Sequence, residues 1–457
     1  NDGTASETAR LNYFGRVDYD YAGKYLFQFN WRYDGSENFP KGNRFGFFPG
    51  VSMGWRISEE KFWKEHVKWM DYFKLRASWG QMGNDKVSAF QYVNAYTFSN
   101  PGVFGANGGK ANTGLRLNRT ANPNITWEVA DTWNVGIESK FLDYFNFEGD
   151  FFVTKRSNIL TARNAAIPEY AGLSLPDENI GKCKSIGTEL TLGYNRQLNK
   201  DWGLHLSGNF SYSHGTIDYI DEPAETLEWQ RRTGKTIGTQ GSNYLMYESI
   251  GIFRTQDELD SYPHLSDARV GDVKFRDVNG DKKIDGDDKV RMDNPAVPEI
   301  MYGINIGTTY KNWSLNMLWQ GAARVWQYTF MEAGIIGNFT KDFYDNRWTE
   351  DNPNAKYPRT YNRDATVTGG GNYRNSFWLN NASYLRLKSI ELAYNCPKSW
   401  FKGTPISGVR LCLTGYNLLT FTGIKNIDPE TQENSQGWAA WNTPQSKVYN
   451  FGINVTF

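Results

Sequence analysis

Apolar and polar residues alternate along the chain in segments of about nine to twelve residues, the length a strand needs to cross a bilayer at a tilt. Tyr25, Phe27, Phe29, Trp31 and Tyr33 share one face, with Gln28, Asn30 and Arg32 opposite. Val51, Met53, Trp55 and Ile57 form a second apolar face. Phe73, Leu75, Ala77 and Trp79 alternate with Lys74, Arg76 and Ser78, and Trp313, Leu315, Met317 and Trp319 alternate with Ser314, Asn316, Leu318 and Gln320. With weaker segments added, the pattern predicts strands near 11–20, 25–33, 44–57, 72–80, 126–137, 146–155, 184–194, 203–213, 301–310, 313–320, 383–395, 409–418 and 448–457, about thirteen in all.

The predicted connections alternate between short (21–24, 58–71, 138–145, 195–202, 311–312, 396–408) and mostly long (34–43, 81–125, 156–183, 214–300, 321–382, 419–447). Short turns on one side and long loops on the other are the asymmetry of bacterial outer-membrane barrels. The expected fold is therefore all-β, a transmembrane antiparallel β-barrel occupying 1–457, with long extracellular loops near 81–125, 214–300, 321–382 and 419–447. A soluble propeller or sandwich array shares the alternation and stays open as an alternative. In the closing segment Tyr449, Phe451, Ile453, Val455 and Phe457 face one way and Asn450, Gly452, Asn454 and Thr456 the other. With the C-terminus periplasmic, an odd strand count places Asn1 on the extracellular side. An odd count also leaves two unpaired edges, which lipid does not tolerate, so the missing strands are expected from elsewhere. A proteolytic nick in an exposed loop is one origin for such a piece.

Composition narrows the class. The chain has 28 Phe, 27 Tyr and 17 Trp among 457 residues, yet a mean hydropathy of −0.63. Strands that show apolar groups to lipid, polar groups to a lumen and aromatic girdles at both interfaces reconcile the two. No apolar run approaches the roughly 18 residues a membrane helix needs. Lys plus Arg and Asp plus Glu are 50 each, which gives no reason to expect nucleic acid. Cys183, Cys396 and Cys412 fit neither a disulfide framework nor a zinc spacing and are expected as free thiols. Residues 1–9 are polar and loop-like, so an export signal is expected upstream.

Few motifs carry chemistry. Asp277 to Asp288 reads DVNGDKKIDGDD, close to a calcium loop. Asp277, Asn279, Asp281, Asp285, Asp288 and the Lys283 carbonyl are its candidate oxygen ligands, for Ca2+ rather than Mg2+ because all come from protein. Lys282 stands where the calcium loop wants Gly, and Asp288 where it wants Glu, and an acidic turn held by Asx hydrogen bonds is the competing reading. Gly50 to Gly54 matches G-x-S-x-G, but the alternation runs straight through Ser52, so it reads as a lumen-facing strand residue and not a nucleophile. Gly105 to Lys110 falls short of a phosphate loop. His66, His205, His214 and His264 show no catalytic zinc spacing. No enzyme activity and no organic cofactor are expected. Aromatic rings and Arg forks in the long loops, namely Trp229, Arg231, Trp326, Trp348, Arg359, Arg374, Trp378, Trp438 and Trp441, are candidate ligand contacts that also suit loop packing.

Several segments, in order along nearly the whole chain, resemble the C-terminal half of the SusC/RagA-type TonB-dependent outer-membrane transporters. They include Arg32, Asp34, Gly35, Ser36 and Phe39; Phe48, Pro49, Gly54, Trp55, Ile57, Ser58, Glu60 and Phe62; and Lys74, Leu75, Arg76, Ser78, Gly80, Gly83 and Asn84. Gly271 to Lys274, the acidic run from Asp277, Pro295, Pro298, Tyr302, Gly303, Gln320, Gly321 and the terminal Phe457 continue the series. The resemblance implies a plugged barrel of about 22 strands, of which this chain supplies about 13, the plug domain being absent. It implies TonB-dependent import of nutrient oligosaccharides or peptides across the Gram-negative outer membrane. Implied partners are a SusD-like surface lipoprotein, an N-terminal plug and barrel fragment of the same protein, TonB through that missing segment, and outer-membrane lipid. A passive porin-like channel and a soluble surface glycan-binding β protein are the alternative functions.

Overall fold

The computed structural model describes residues 7–98, 102–104, 110–163, 175–224, 226–237, 245–330, 340–360, 373–425, 427–431 and 443–457. Among these, thirteen strands form one antiparallel sheet in which each pairs with its neighbour in sequence. They are β1 (Arg10–Tyr21), β2 (Tyr25–Ser36), β3 (Phe45–Arg56), β4 (Met70–Asn84), β5 (Glu128–Phe141), β6 (Phe145–Thr161) and β7 (Glu178–Gln197). The sheet continues with β8 (Trp202–Tyr219), β9 (Ile300–Tyr310), β10 (Trp313–Ala323), β11 (Tyr384–Asn395), β12 (Gly408–Thr422) and β13 (Val448–Thr456). β1 and β13 are the two edges of this order.

Register joins the alternating segments into one apolar belt. Phe29 lies opposite Val51, Val51 opposite Trp79 and Trp79 opposite Trp133. Further on, Ile304 pairs with Trp319, Leu315 with Leu392, Leu392 with Leu413 and Leu413 with Phe451. Much of this belt is bare: Trp133, Leu413 and Phe451 are 42%, 56% and 68% exposed. A continuous apolar surface of this extent is stable only against lipid. The opposite face is polar and cross-linked, with Arg76 bonded to Glu148 at 2.8 Å and Asp150 at 2.5 Å and Lys74 to Glu138 at 3.2 Å. Ser52 lies on this face, its hydroxyl 3.3 Å from the Gln28 amide oxygen, as a continuous strand requires.

The structure lengthens several expected strands. β6, β7 and β8 have 17, 20 and 18 residues, so the connection expected over 156–183 contracts to 162–177 and the one expected over 214–300 begins at 220. Ile57, assigned by alternation to the apolar face of β3, instead opens a 3-10 turn over Ile57–Glu59 and is buried there. The connection from β3 to β4 also holds a short helix, Lys61–His66. Cys396 donates its backbone N–H to Val409 while Cys412 stands opposite Ala393, and all three cysteines are free thiols.

The long connections leave the same end of the strands, and described residues of several of them pack into small cores. Phe39, Phe48, Ile125 and Trp127 form one such core at the ends of β2 to β5. Its closeness explains two glycines: a Cβ at Gly46 would come within 2.4 Å, and one at Gly83 within 2.0 Å, of the Phe48 ring. Tyr328, Phe330, Phe343, Tyr357 and Trp378 form another core, and Ala322, Val325, Ala382, Tyr384 and Ile424 a third.

Candidate functional site

The densest polar site lies where the last two long loops meet the polar face of β11. β10 ends at Ala323, Arg324 turns the chain with φ +51°, and Trp326–Tyr328 pairs with Leu379–Asn381 as a short hairpin above the sheet. From β11, Arg386 is 3% exposed. Its guanidinium donates to Asp428 at 2.8 Å, to Thr420 at 2.9 Å, and to Glu430. Lys388 reaches Glu430 at 2.7 Å and the Tyr384 hydroxyl donates to it at 2.6 Å. Gln327 Nε2 holds the backbone carbonyls of Pro429 and Thr431 at 2.7 and 2.5 Å, and the Gln445 N–H closes on Asp428 at 3.0 Å. Burial raises the Asp428 pKa, but the amides of Glu430 and Gln445 and the Arg386 guanidinium outweigh it and hold the carboxyl below its ordinary range. The arrangement fixes residues 427–431 against the wall of the barrel.

The residues singled out in the sequence distribute over several places. Trp378, 1% exposed, is the centre of a loop core, stacked on Tyr357 with centroids 6.1 Å apart. Trp348 is 9% exposed and packs with Ile252 and Ala355, and Arg359 lies over its ring at 5.3 Å while donating to the Val270 carbonyl at 3.0 Å. Arg374 lies over Tyr328 at 4.1 Å. Trp326 lines a cleft of about 530 Å³ with Val297, Met301 and Glu430. Trp229 donates its indole N–H to the Asp287 carbonyl at 2.7 Å, and Arg231 Nε donates to the Thr226 carbonyl at 3.4 Å. Trp438 and Trp441 lie outside the described residues. The structure thus brings Trp326 close to the Arg386 cluster, whose members sequence reading did not single out.

In the acidic turn, carboxylate oxygens face the turn's own amides. Asp277 accepts from Gly280 at 2.7 Å and Lys282 at 3.0 Å, Asn279 from Asp281 at 3.0 Å, Asp281 from Lys283 at 2.8 Å and Asp285 from Asp287 at 2.9 Å. Asp288 is fully buried and accepts from Val278 at 2.8 Å and Asp285 at 2.9 Å. Lys282, where a calcium loop wants Gly, adopts φ +66°. Among the described residues no three His, Cys, Asp or Glu side chains converge as a metal-holding group.

A lipid-facing belt, a polar inner face and long loops at one end of the strands define an outer-membrane β-barrel. The TonB dependent receptor-like, beta-barrel family matches residues 1–427, and the chain belongs to this family as a barrel region of SusC/RagA type. TonB-dependent receptor P3 of Formosa agariphila is 30% identical over 99% of this chain and 46% of its own length. TonB-dependent receptor SusC of Bacteroides thetaiotaomicron is 25% identical over 99% of the chain and 44% of its own length. A structure described as the RagAB peptide transporter superposes with a TM-score of 0.75 at 25% identity, covering 98% of this chain and 48% of that one. The chain thus spans about half the length of the relatives it matches.

Proposed function

We propose that this chain forms the larger wall of a TonB-energised importer that carries oligosaccharides or peptides across the Gram-negative outer membrane. In this reading the long-loop edge faces outward, with Asn1 on that side and the C-terminus in the periplasm. A SusD-like lipoprotein covers the loops, and a plug contributed by the rest of the protein responds to TonB. One observation carries it: residues 1–427 match the TonB dependent receptor-like, beta-barrel family. The Arg386, Asp428 and Glu430 cluster adds to it a loop end, residues 427–431, fastened to the polar face of the sheet, an ordered surface on the side where cargo would arrive. The test is uptake of labelled oligosaccharide and peptide pools by cells carrying the full-length transporter. Uptake that stops on deletion of TonB supports the reading. Uptake indifferent to TonB, with open-channel conductance in planar bilayers, refutes it.

A further inference from the structure

A cleft of about 400 Å³ lies between the hairpin Trp326–Tyr328/Leu379–Asn381 and the first residues of the β12–β13 loop. Its apolar side is the partly exposed Phe377 ring, held from behind by the buried Trp378, which it meets edge-on at 5.0 Å and which stacks on Tyr357. Two ammonium groups, those of Lys356 and Lys425, line it. Lys356 is already matched, 2.5 Å from the Tyr357 hydroxyl and 3.4 Å from Asp342, to which that hydroxyl donates at 2.6 Å. Lys425 makes no hydrogen bond or ion pair among the described residues, although it lies near enough to help keep the Asp342 carboxyl ionised; the Tyr357 hydrogen bond is the main cause of that lowered pKa. Among the described residues, two lysines face one aspartate, which leaves one positive charge over at the cleft. At this volume, near the small end of ligand pockets, it admits one terminal group of a longer chain.

We propose that this cleft is an anchoring subsite for a cargo end bearing a carboxylate next to a flat apolar face, the carboxylate pairing with Lys425 and the face resting on the partly exposed Phe377 ring. A peptide C-terminus with an aromatic side chain and a terminal uronic acid both present this chemistry. Apolar contact alone does not select between an acid and its amide; an ammonium does. The proposal rests on the import reading, since it assigns part of the cargo to this wall.

The test uses the full-length transporter with its lipoprotein partner in detergent and four probes: N-acetyl-phenylalanine, its amide, methyl glucuronide and methyl glucoside. Calorimetry or competition binding is expected to favour one or both acids over the matched neutral probe by about tenfold, the contribution of one charged hydrogen bond. Lys425→Met erases this ratio without altering neutral binding, and Lys425→Arg retains it. The preferred acid tells peptide from glycan. Equal affinities, absence of binding by all four probes, or a ratio that survives Lys425→Met overturns the proposal. TonB-dependent uptake by the same variants separates the two readings. Import without acid preference removes only the subsite, and acid preference without TonB-dependent import removes only the import reading.

Discussion

Replacing Arg386 by Met removes the one guanidinium that, among the described residues, serves both Asp428 and Glu430. Arg386 and Asp428 have side-chain exposures of 3% and 5%, so the loss is that of a buried pair and not of a surface bridge. Breaking such a pair from one side costs about 3–5 kcal/mol, because a buried carboxylate is left without its counter-charge. Lys388 still faces Glu430, which places the expected cost at the lower end, about 3 kcal/mol. The strands β11 and β12 are held by their own ladder, so the cheapest response is for residues 427–431 to leave the wall while the barrel stays folded. At about 1.4 kcal/mol per tenfold, the opening equilibrium moves roughly a hundredfold. Hydrogen exchange of the full-length protein in detergent measures this directly, at the amides of Glu430 and Gln445, which bond to Asp428 in the intact cluster. Asp428→Asn with Glu430→Gln, which removes the stranded charges, should recover part of the protection in the Arg386→Met background. Unchanged exchange in Arg386→Met, or no recovery in the triple variant, refutes the account of a charge-fastened loop.

Acid should open the same cluster: the folded Asp428 pKa lies below its unfolded value, so its contribution is present above the ordinary aspartate range and is lost as pH falls through the lowered folded value. Exchange at 427–431 should then stay constant from neutral pH to about 5 after correction for intrinsic rates and accelerate below about 4; acceleration between pH 7 and 6 contradicts the assignment. Gly83→Ala should destabilise the folded barrel by about 1–3 kcal/mol through the Phe48 ring, whereas Gly80→Ala, whose Cβ would meet nothing closer than 3.6 Å, should be nearly silent in urea unfolding followed by gel shift. Lys282→Gly should slow exchange across 277–288, since Lys282 holds φ +66° at a cost of about 1 kcal/mol. If the turn takes calcium, as its sequence invites, chelation with EGTA should speed exchange at Val278 and Lys282 while added Mg2+ fails to restore it; indifference to both removes the metal.

The barrel was legible because lipid imposes one rule on each strand. Every second residue must be apolar, and that rule acts between neighbours in the chain, so thirteen strands appear in their correct places. It stops acting where strands leave the bilayer. Lys182 and Cys183 of β7 pair with Tyr219 and Ile217 of β8 in the ladder, but no solvent contrast between their faces marks them as strand. Ile57 failed for a related reason: it keeps the parity of β3, yet the chain has already turned into the packed connection, where burial follows the turn and not the period.

The Arg386 site was hidden by distance along the chain. Its partners lie 42 and 44 residues away, in a polar stretch where Asp428 and Glu430 look like any loop acids. Loop tryptophans misled in the opposite direction. A Trp in a long polar connection reads as a ligand platform, but a loop of that length must bury something to hold a shape, and Trp378 and Trp348 supply that burial. In the proposed subsite, what would face cargo is charge left over after the described loop residues have packed. Among these, Lys425 meets that condition where Lys356, one residue from Tyr357 and within reach of Asp342, does not. A site of this kind is defined by the partner a residue lacks, which is a property of the assembled loops and has no counterpart in the local sequence.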